Sequence, residues 1–576
     1  MDDVAPRVPA HLRRFVVEQD YSQYTAVDQA VWRFVLLQTH SRLVHTAHPA
    51  YEKGLAATGI SIDRIPSIAE MNDKLSHFGW GAVCVDGFIP PRAFQEFQAC
   101  GILPIAGDMR TCEHLAYTPA PDIIHEAAGH APILPDPVYA AYLRRIGDLG
   151  RTAFTLPEED RVYRAIHALS EAMENPGRSA GELGRIEGEL EAALGGASEP
   201  SEAARLSRLY WWTAEYGLVG QLHDYKIYGA GLLSSLGESH SCHGADVAKR
   251  VLDEGCLDVP YDITRPQPRL FVTPSFEALH DLLDRVGRGL GVQIGGEVAL
   301  ARAIRSRDLA TVHFSSGASA IGVLAQAGPS LSSPAWLAFD GPGALAWDGS
   351  TSGPHSLRWQ TRFFVVLVLL SRGAALERLS ESAIDRLRDP STGRSTFDFA
   401  SGARVNGQVI RTARQADGRL VHVELSDARL SLPGVPPRHV ARYWLVAAGD
   451  AVSAHAGAVD PAYQPGVDSP PTRVPRPRAR PESERRLIAL YERAERAHRS
   501  AAPEANVEFG RVVAELDRDY PDEWLLRWNL LESLLKAKAD GPAARDLRSA
   551  LERLEVRFDH RLPIASGLRY LLRPAA

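Results

Sequence analysis

Two histidines five residues apart, in Pro121-Asp122-Ile123-Ile124-His125-Glu126-Ala127-Ala128-Gly129-His130, constrain this chain more than any other stretch. Two imidazoles hold one metal ion only if the backbone aims both at one point. Four-residue spacing does so on a regular helix, as in zinc peptidases, where a glutamate between the histidines serves as base. Five-residue spacing sets the rings about 140° apart. Both reach one ion only if the helix ends at His130, and Gly129 before it and Pro132 after it suit such an ending.

A catalytic metal usually takes three protein ligands, so a carboxylate is sought to complete the set. The best candidate is Glu215, the single acid in Tyr210-Trp211-Trp212-Thr213-Ala214-Glu215-Tyr216-Gly217, a stretch that reads as a mostly apolar helix. Two histidines and one carboxylate form a facial set with open positions, which suits non-heme Fe(II). A zinc site and a pair of hydrogen-bonded core histidines are the alternatives that spacing leaves open.

Tyr117-Thr118-Pro119-Ala120-Pro121-Asp122-Ile123-Ile124-His125-Glu126, followed by Ala128-Gly129-His130-Ala131-Pro132, resembles the signature of the pterin-dependent aromatic amino acid hydroxylases. A second block agrees with it. Tyr210 to Leu218, then Lys226-Ile227-Tyr228-Gly229-Ala230-Gly231-Leu232-Leu233-Ser234-Ser235, resembles that family's helix with the acidic iron ligand and the glycine-serine loop beyond. The similarity covers about residues 16 to 285.

The resemblance implies a mainly α catalytic domain with short strands, holding Fe(II) through His125, His130 and Glu215 and using a tetrahydropterin and O2 to hydroxylate an aromatic ring. It implies that Arg110 grips the substrate carboxylate and that Asp122 orients Arg110, a role that suits a planar guanidinium. Thr118, Pro121, Trp211, Tyr216, Gly231 and Ser234 fall on positions that line the amino acid pocket. Ser234 would hold the ring of His125 so that its other nitrogen meets iron. Gly87, Ile89 and Phe94 match the pterin side. Glu126, beside a metal-binding histidine, is a candidate catalytic residue, and the family places it toward the pterin.

The chain departs from animal members at Ala120, where they carry an acid, and at Tyr216, where they usually carry phenylalanine. A buried Tyr216 hydroxyl must find a partner or be penalised by about 1–3 kcal/mol. L-Phenylalanine is the expected substrate, with tyrosine and tryptophan as alternatives. Val272 falls where tyrosine-selective relatives place an acid, and an apolar residue there suits an unsubstituted ring.

A chain of 576 residues should hold about three domains. We expect an N-terminal tail at 1–15, the catalytic domain at 16–288, a β-rich domain at 291–460, a Pro/Arg-rich linker at 465–482 and a helical module at 483–576. No regulatory domain is expected ahead of residue 16. Helical periodicity marks Val27 to Val44, Pro137 to Arg151, Ser201 to Leu218 and Ser275 to Gly287, with a solvated helix or excursion around Gly177 to Ala197. Within the β-rich part, Asp417-Gly418 signals a hairpin and Phe363 to Leu370 reads as a buried strand too short to span a bilayer.

The net charge of −7 gives no pull toward nucleic acid or an anionic membrane. Five cysteines without paired spacing, and an N-terminus without a secretion signal, point to the cytoplasm. The helical tail is expected to serve a protein partner or self-association, and a chain ending near residue 290 is expected to remain active.

Overall fold

The computed structural model describes residues 8–87, 89–115, 121–173, 179–195, 199–263, 265–352, 356–367, 370–371, 373–460, 463, 480–498, 502–538, 541–557 and 561–572. Helices dominate the first half. The Ala26–Thr46 helix opens on a capping box, in which Thr25 Oγ1 accepts from the Asp28 N–H and the Asp28 carboxylate accepts from the Thr25 N–H. Val31, Trp32, Phe34, Val35 and Leu36 are all buried, so this helix is enclosed on several sides instead of along one stripe. Asp136 caps the Pro137–Thr152 helix and Ser275 caps the Phe276–Arg288 helix, each accepting from backbone N–H groups of the first turn.

The stretch read as one helix from Ser201 to Leu218 is three elements. An α-helix, Glu202–Tyr210, continues into a π-helical turn, Trp211–Glu215, and the chain then becomes the strand Leu218–Gln221. Strand pairing explains the ending: Leu218–Gln221 lies between Asp224–Ile227 and Arg269–Thr273, with Ala248–Val251 beyond. A second small sheet joins Val16–Val17, Gly81–Val85 and Ile102–Ala106. Where a tail was expected, Ala10–Phe15 forms a 3-10 helix, and Leu12 is buried in a cluster with Val8, Phe97 and Ile102.

Between residues 309 and 456 the chain forms a six-stranded sheet and a four-stranded antiparallel sheet, with two apolar cores that each draw on both sheets. Phe363–Val366 is a strand of the first, and strands Arg404–Arg414 and Leu420–Ser431 of the second are joined by a turn with Gly418 at φ +87°. His313 and His422 lie on strands of this region, as does His439, and none joins a metal-binding group among the described residues.

Five helices close the chain, Glu482–His498, Ala502–Asp519, Leu525–Lys536, Pro542–Arg557 and Arg561–Leu571. They turn inward. Phe34 meets Trp524 and Trp528 edge to face at ring-centroid distances of 5.1 and 4.8 Å, Arg33 is paired with Glu532 through both carboxylate oxygens, and Ser566 donates to Gln38. Apolar residues of these helices join the main core of the first half in one continuous cluster. The helical tail thus packs one face on the chain itself, and ending the chain near residue 290 would strip the outer face of the Ala26–Thr46 helix. Most of the 465–482 linker lies outside the described residues, but Arg480 donates to the Gln23 carbonyl at 2.9 Å. No helix among the described residues is long and apolar enough to cross a membrane.

Candidate metal centre and its cavity

Backbone winding resolves the five-residue spacing. Ile124–His130 is a π-helix, whose i to i+5 repeat returns His130 to the side of His125. The expectation of a regular helix ending at His130 is corrected in this respect: the turn is widened first, and the 3-10 turn Ala131–Ile133 follows. Glu215 also lies on a π-helical turn, at its last residue. The ligand atoms of His125, His130 and Glu215 lie within 4.8 Å of one another. His125 Nε2 is 3.2 Å from Glu215 Oε2, and His130 Nε2 is 3.1 Å from Glu215 Oε1.

Small residues let the three carriers approach. A Cβ on Gly129 would come 2.7 Å from the Ala230 carbonyl oxygen, and one on Gly229 would come 2.5 Å from that of Glu215. The short helix Ala230–Ser234 thus wedges against both π-helical turns. From it, Ser234 donates to the Ala230 carbonyl at 2.8 Å and so presents a lone pair to His125 Nδ1 at 3.1 Å. That contact suits a proton on Nδ1, the tautomer in which Nε2 can donate an electron pair to a metal.

The donor set fits a metal ion. His130 is fully buried, and neither of its ring nitrogens makes a well-directed hydrogen bond despite the nearby carboxylate. An isolated buried imidazole of this kind is costly unless its nitrogen ligates. Burial pushes the Glu215 carboxyl up, but the two imidazoles outweigh it and hold it well below the usual range. Two imidazole nitrogens and a carboxylate oxygen meeting at one point suit Fe(II).

A cavity of about 300 Å³ opens beside His125 and Glu215. Arg110 lines it, and its guanidinium is bidentate to Asp122 at 2.7 and 2.7 Å. Asp122 also accepts from the backbone N–H groups of Arg110 and His125, so one carboxylate ties the arginine to the start of the π-helix. Burial raises the Asp122 carboxyl, but Arg110 outweighs it and leaves the group below its usual range. Pro121, Gly231 and Ser234 line the same space, as do Gly87, Ile89, Phe94 and Glu126. Glu126 is buried, which raises its carboxyl, and Oε2 makes no hydrogen bond. An unfilled acceptor beside apolar walls is what the N–H groups of a flat heterocycle require. Thr118 lies outside the described residues.

Trp211 stacks on Tyr261 at 4.2 Å and meets Tyr216 at 4.8 Å, forming a three-ring wall. The hydroxyl of Tyr216 finds its partner in Glu238 Oε2 at 2.8 Å, while Glu238 Oε1 accepts from the Gln267 N–H at 3.0 Å. Burial pushes the Glu238 carboxyl up to about 7. Glu238 and Tyr261 were missed from sequence. Glu238 stands four residues after Ser234, a spacing that could have revealed it, whereas Tyr261 sits in an irregular segment with no periodic signal. Val272 is placed differently from its expected role: it is buried in strand Arg269–Thr273 between Leu218 and Val251 and is not part of the cavity lining.

A protein-family model described as biopterin-dependent aromatic amino acid hydroxylase matches residues 17–159 and 183–291. The chain is similar to the phenylalanine-4-hydroxylase of Mesorhizobium japonicum, 33% identical over 272 residues that make up 46% of this chain and 82% of the relative. With that of Ralstonia nicotianae it is 30% identical over 46% of this chain and 72% of the relative. A crystal structure of phenylalanine hydroxylase from Chromobacterium violaceum with bound iron(III) and 7,8-dihydrobiopterin is 28% identical, covers 48% of this chain and 86% of that one, and has a TM-score of 0.37. With a relative matched over most of its length at this identity, the chain belongs to the biopterin-dependent aromatic amino acid hydroxylases.

Proposed function

We propose that this chain is a phenylalanine 4-monooxygenase that converts L-phenylalanine to L-tyrosine with O2 and a tetrahydropterin, at Fe(II) held by His125, His130 and Glu215. The observation that carries the reading is the convergence of two imidazoles and a carboxylate beside a cavity that also holds a buried guanidinium and an aromatic wall. When bound, iron and reduced pterin supply the electrons and the activated oxygen. The chain's own residues bind, orient and exclude water.

Asp122 occupies one edge of the Arg110 guanidinium, which leaves the other edge for the substrate carboxylate. The amino acid ring is set against Trp211 and Tyr216, with Thr118, Pro121, Gly231 and Ser234 completing its pocket. Gly87, Ile89, Phe94 and Glu126 take the pterin, Glu126 through its unfilled oxygen. Ser234 holds His125 in the tautomer that a metal needs. Phenylalanine over tyrosine is supported by the phenylalanine-4-hydroxylases to which the chain is similar. We read residues 16–288 as the catalytic domain, 291–460 and 483–576 as appended domains joined through 465–482, and the setting as cytoplasmic.

The test is reconstitution of the full chain with Fe(II) under anaerobic conditions, then addition of O2 and tetrahydropterin with phenylalanine, tyrosine or tryptophan in parallel, reading product by mass. Tyrosine formed from phenylalanine, dependent on iron and pterin, is expected, and Glu215→Ala and His130→Ala should each abolish it and weaken iron binding. Full activity in either variant would remove the ligand assignment, and product from tryptophan alone would remove the substrate.

A further inference from the structure

The family match stops at residue 159 and resumes at 183. Of the skipped residues, 160–173 and 180–182 belong to two packed helices, Pro157–Met173 and Ala180–Gly195, that form a hairpin just before the helix leading to Glu215. Its base is clipped shut by one side chain. Glu159 Oε2 accepts from the Leu156 N–H at 3.0 Å and from Ser201 Oγ at 2.6 Å, and Oε1 accepts from the Ser201 N–H at 2.8 Å. Ser201 is also the N-cap of the Glu202–Tyr210 helix, so the hairpin is anchored to the element that presents the metal-binding acid.

The hairpin has a small apolar core of its own, centred on Leu169, Ala172 and Ile186 and separate from the main core. Yet two residues of its first helix, Tyr163 and Ile166, line the same cavity as His125, Glu215 and Arg110. Three apart, they share one helix face. Both are half-buried, on a helix whose other positions include the exposed Arg164. A segment outside the family match thus contributes one aromatic and one branched side chain to the reaction cavity.

We propose that this hairpin is a cover over the amino acid pocket, in which Tyr163 and Ile166 determine which aromatic side chain is accepted and keep water from the reacting ring. The inference rests on the reading of the cavity as the site of an aromatic amino acid hydroxylase. Apolar groups added to a pocket narrow it, and discrimination by shape in such pockets runs from about tenfold to a few hundredfold. Tyr163 and Ile166 are neither metal-binding residues nor members of the Arg110–Asp122 pair, so their effect should fall on selectivity and coupling.

The experiment uses the full chain loaded with Fe(II). Binding of phenylalanine and of tryptophan is measured anaerobically by calorimetry for the wild type, Tyr163→Ala, Ile166→Ala and, as a control on the outer face, Arg164→Ala. Turnover then gives the fraction of oxidised tetrahydropterin that yields hydroxylated amino acid. The two cavity variants should lose about tenfold of the preference for phenylalanine over tryptophan and oxidise more pterin without product, while Arg164→Ala matches the wild type. Folded Tyr163→Ala and Ile166→Ala proteins that keep wild-type preference and coupling would overturn the cover alone. A wild-type chain that binds neither amino acid would overturn the pocket reading, and the cover with it.

Discussion

The two regions that follow the hydroxylase half are attached to it in opposite ways. The β-rich region keeps two cores of its own, one of them admitting Phe154 from the first half, and its seam carries polar contacts: Glu202 with Arg302 and the Gly291 N–H, and Arg92 with Asp308 at 3.6 Å. The C-terminal helices, though farther along the chain, pool their core with the Ala26–Thr46 helix. Distance in sequence is therefore a poor guide to energetic independence. Of the two, the last helices behave as part of the catalytic half, and the β-rich region behaves as a neighbour.

Truncation at residue 481 tests this contrast most severely. It uncovers Phe34, Arg33 and the surrounding apolar surface, and with native stabilities of only about 5–15 kcal/mol the remaining chain should fail to fold. Circular dichroism and gel filtration would show this, and a truncated chain that melts like the intact protein would break the comparison. Next comes Phe34→Ala, which removes a ring packed between two tryptophans and should cost about 3–5 kcal/mol in denaturant unfolding.

The Arg33–Glu532 pair sharpens the contrast through pH. Burial raises the Glu532 carboxyl, but Arg33 outweighs it and leaves the folded value below 4.5. A depressed carboxyl contributes stability that is present above the unfolded value and lost as pH falls through the folded one. The wild type should therefore lose stability below about pH 4.5, and Glu532→Gln should weaken the protein by about 2 kcal/mol at neutral pH and flatten that loss. Arg302→Ala, at the polar seam with the β-rich region, should cost about 1 kcal/mol or less, because Arg302 is 34% exposed. A loss there equal to that of Phe34→Ala would erase the distinction between the two attachments.

Legibility in sequence followed the same divide. The residues His125, His130 and Glu215 were readable because they stand in long motif blocks, and the helices Pro137–Thr152 and Phe276–Arg288 were readable from their periodicity. The π-helical winding was not, since no residue preference announces one extra residue in a turn. For Tyr216 the need of a hydroxyl partner was evident, but its identity, 22 residues away at Glu238, depended on tertiary packing. The buried run Val31-Trp32-Arg33-Phe34-Val35-Leu36 did carry a signal: too many sides of that helix are apolar for one core face. What it could not say is that the second layer would come from residues some 500 positions later, as the Arg33–Glu532 separation of 499 shows. Val272 was assigned by similarity in a strand where the side chain turns into the sheet's own packing.

The Glu159 clip has a consequence for how such enzymes diverge. It holds the two ends of the hairpin together although Glu159 and Ser201 are 42 residues apart. Lengthening a closed loop costs little, about 0.6 kcal/mol per doubling. The rest of the protein therefore meets the same two anchor points whatever lies between them. On the reading of the hairpin as a cover, a different hairpin would seat on the same junction, which would let substrate range evolve while the metal-binding floor stays fixed.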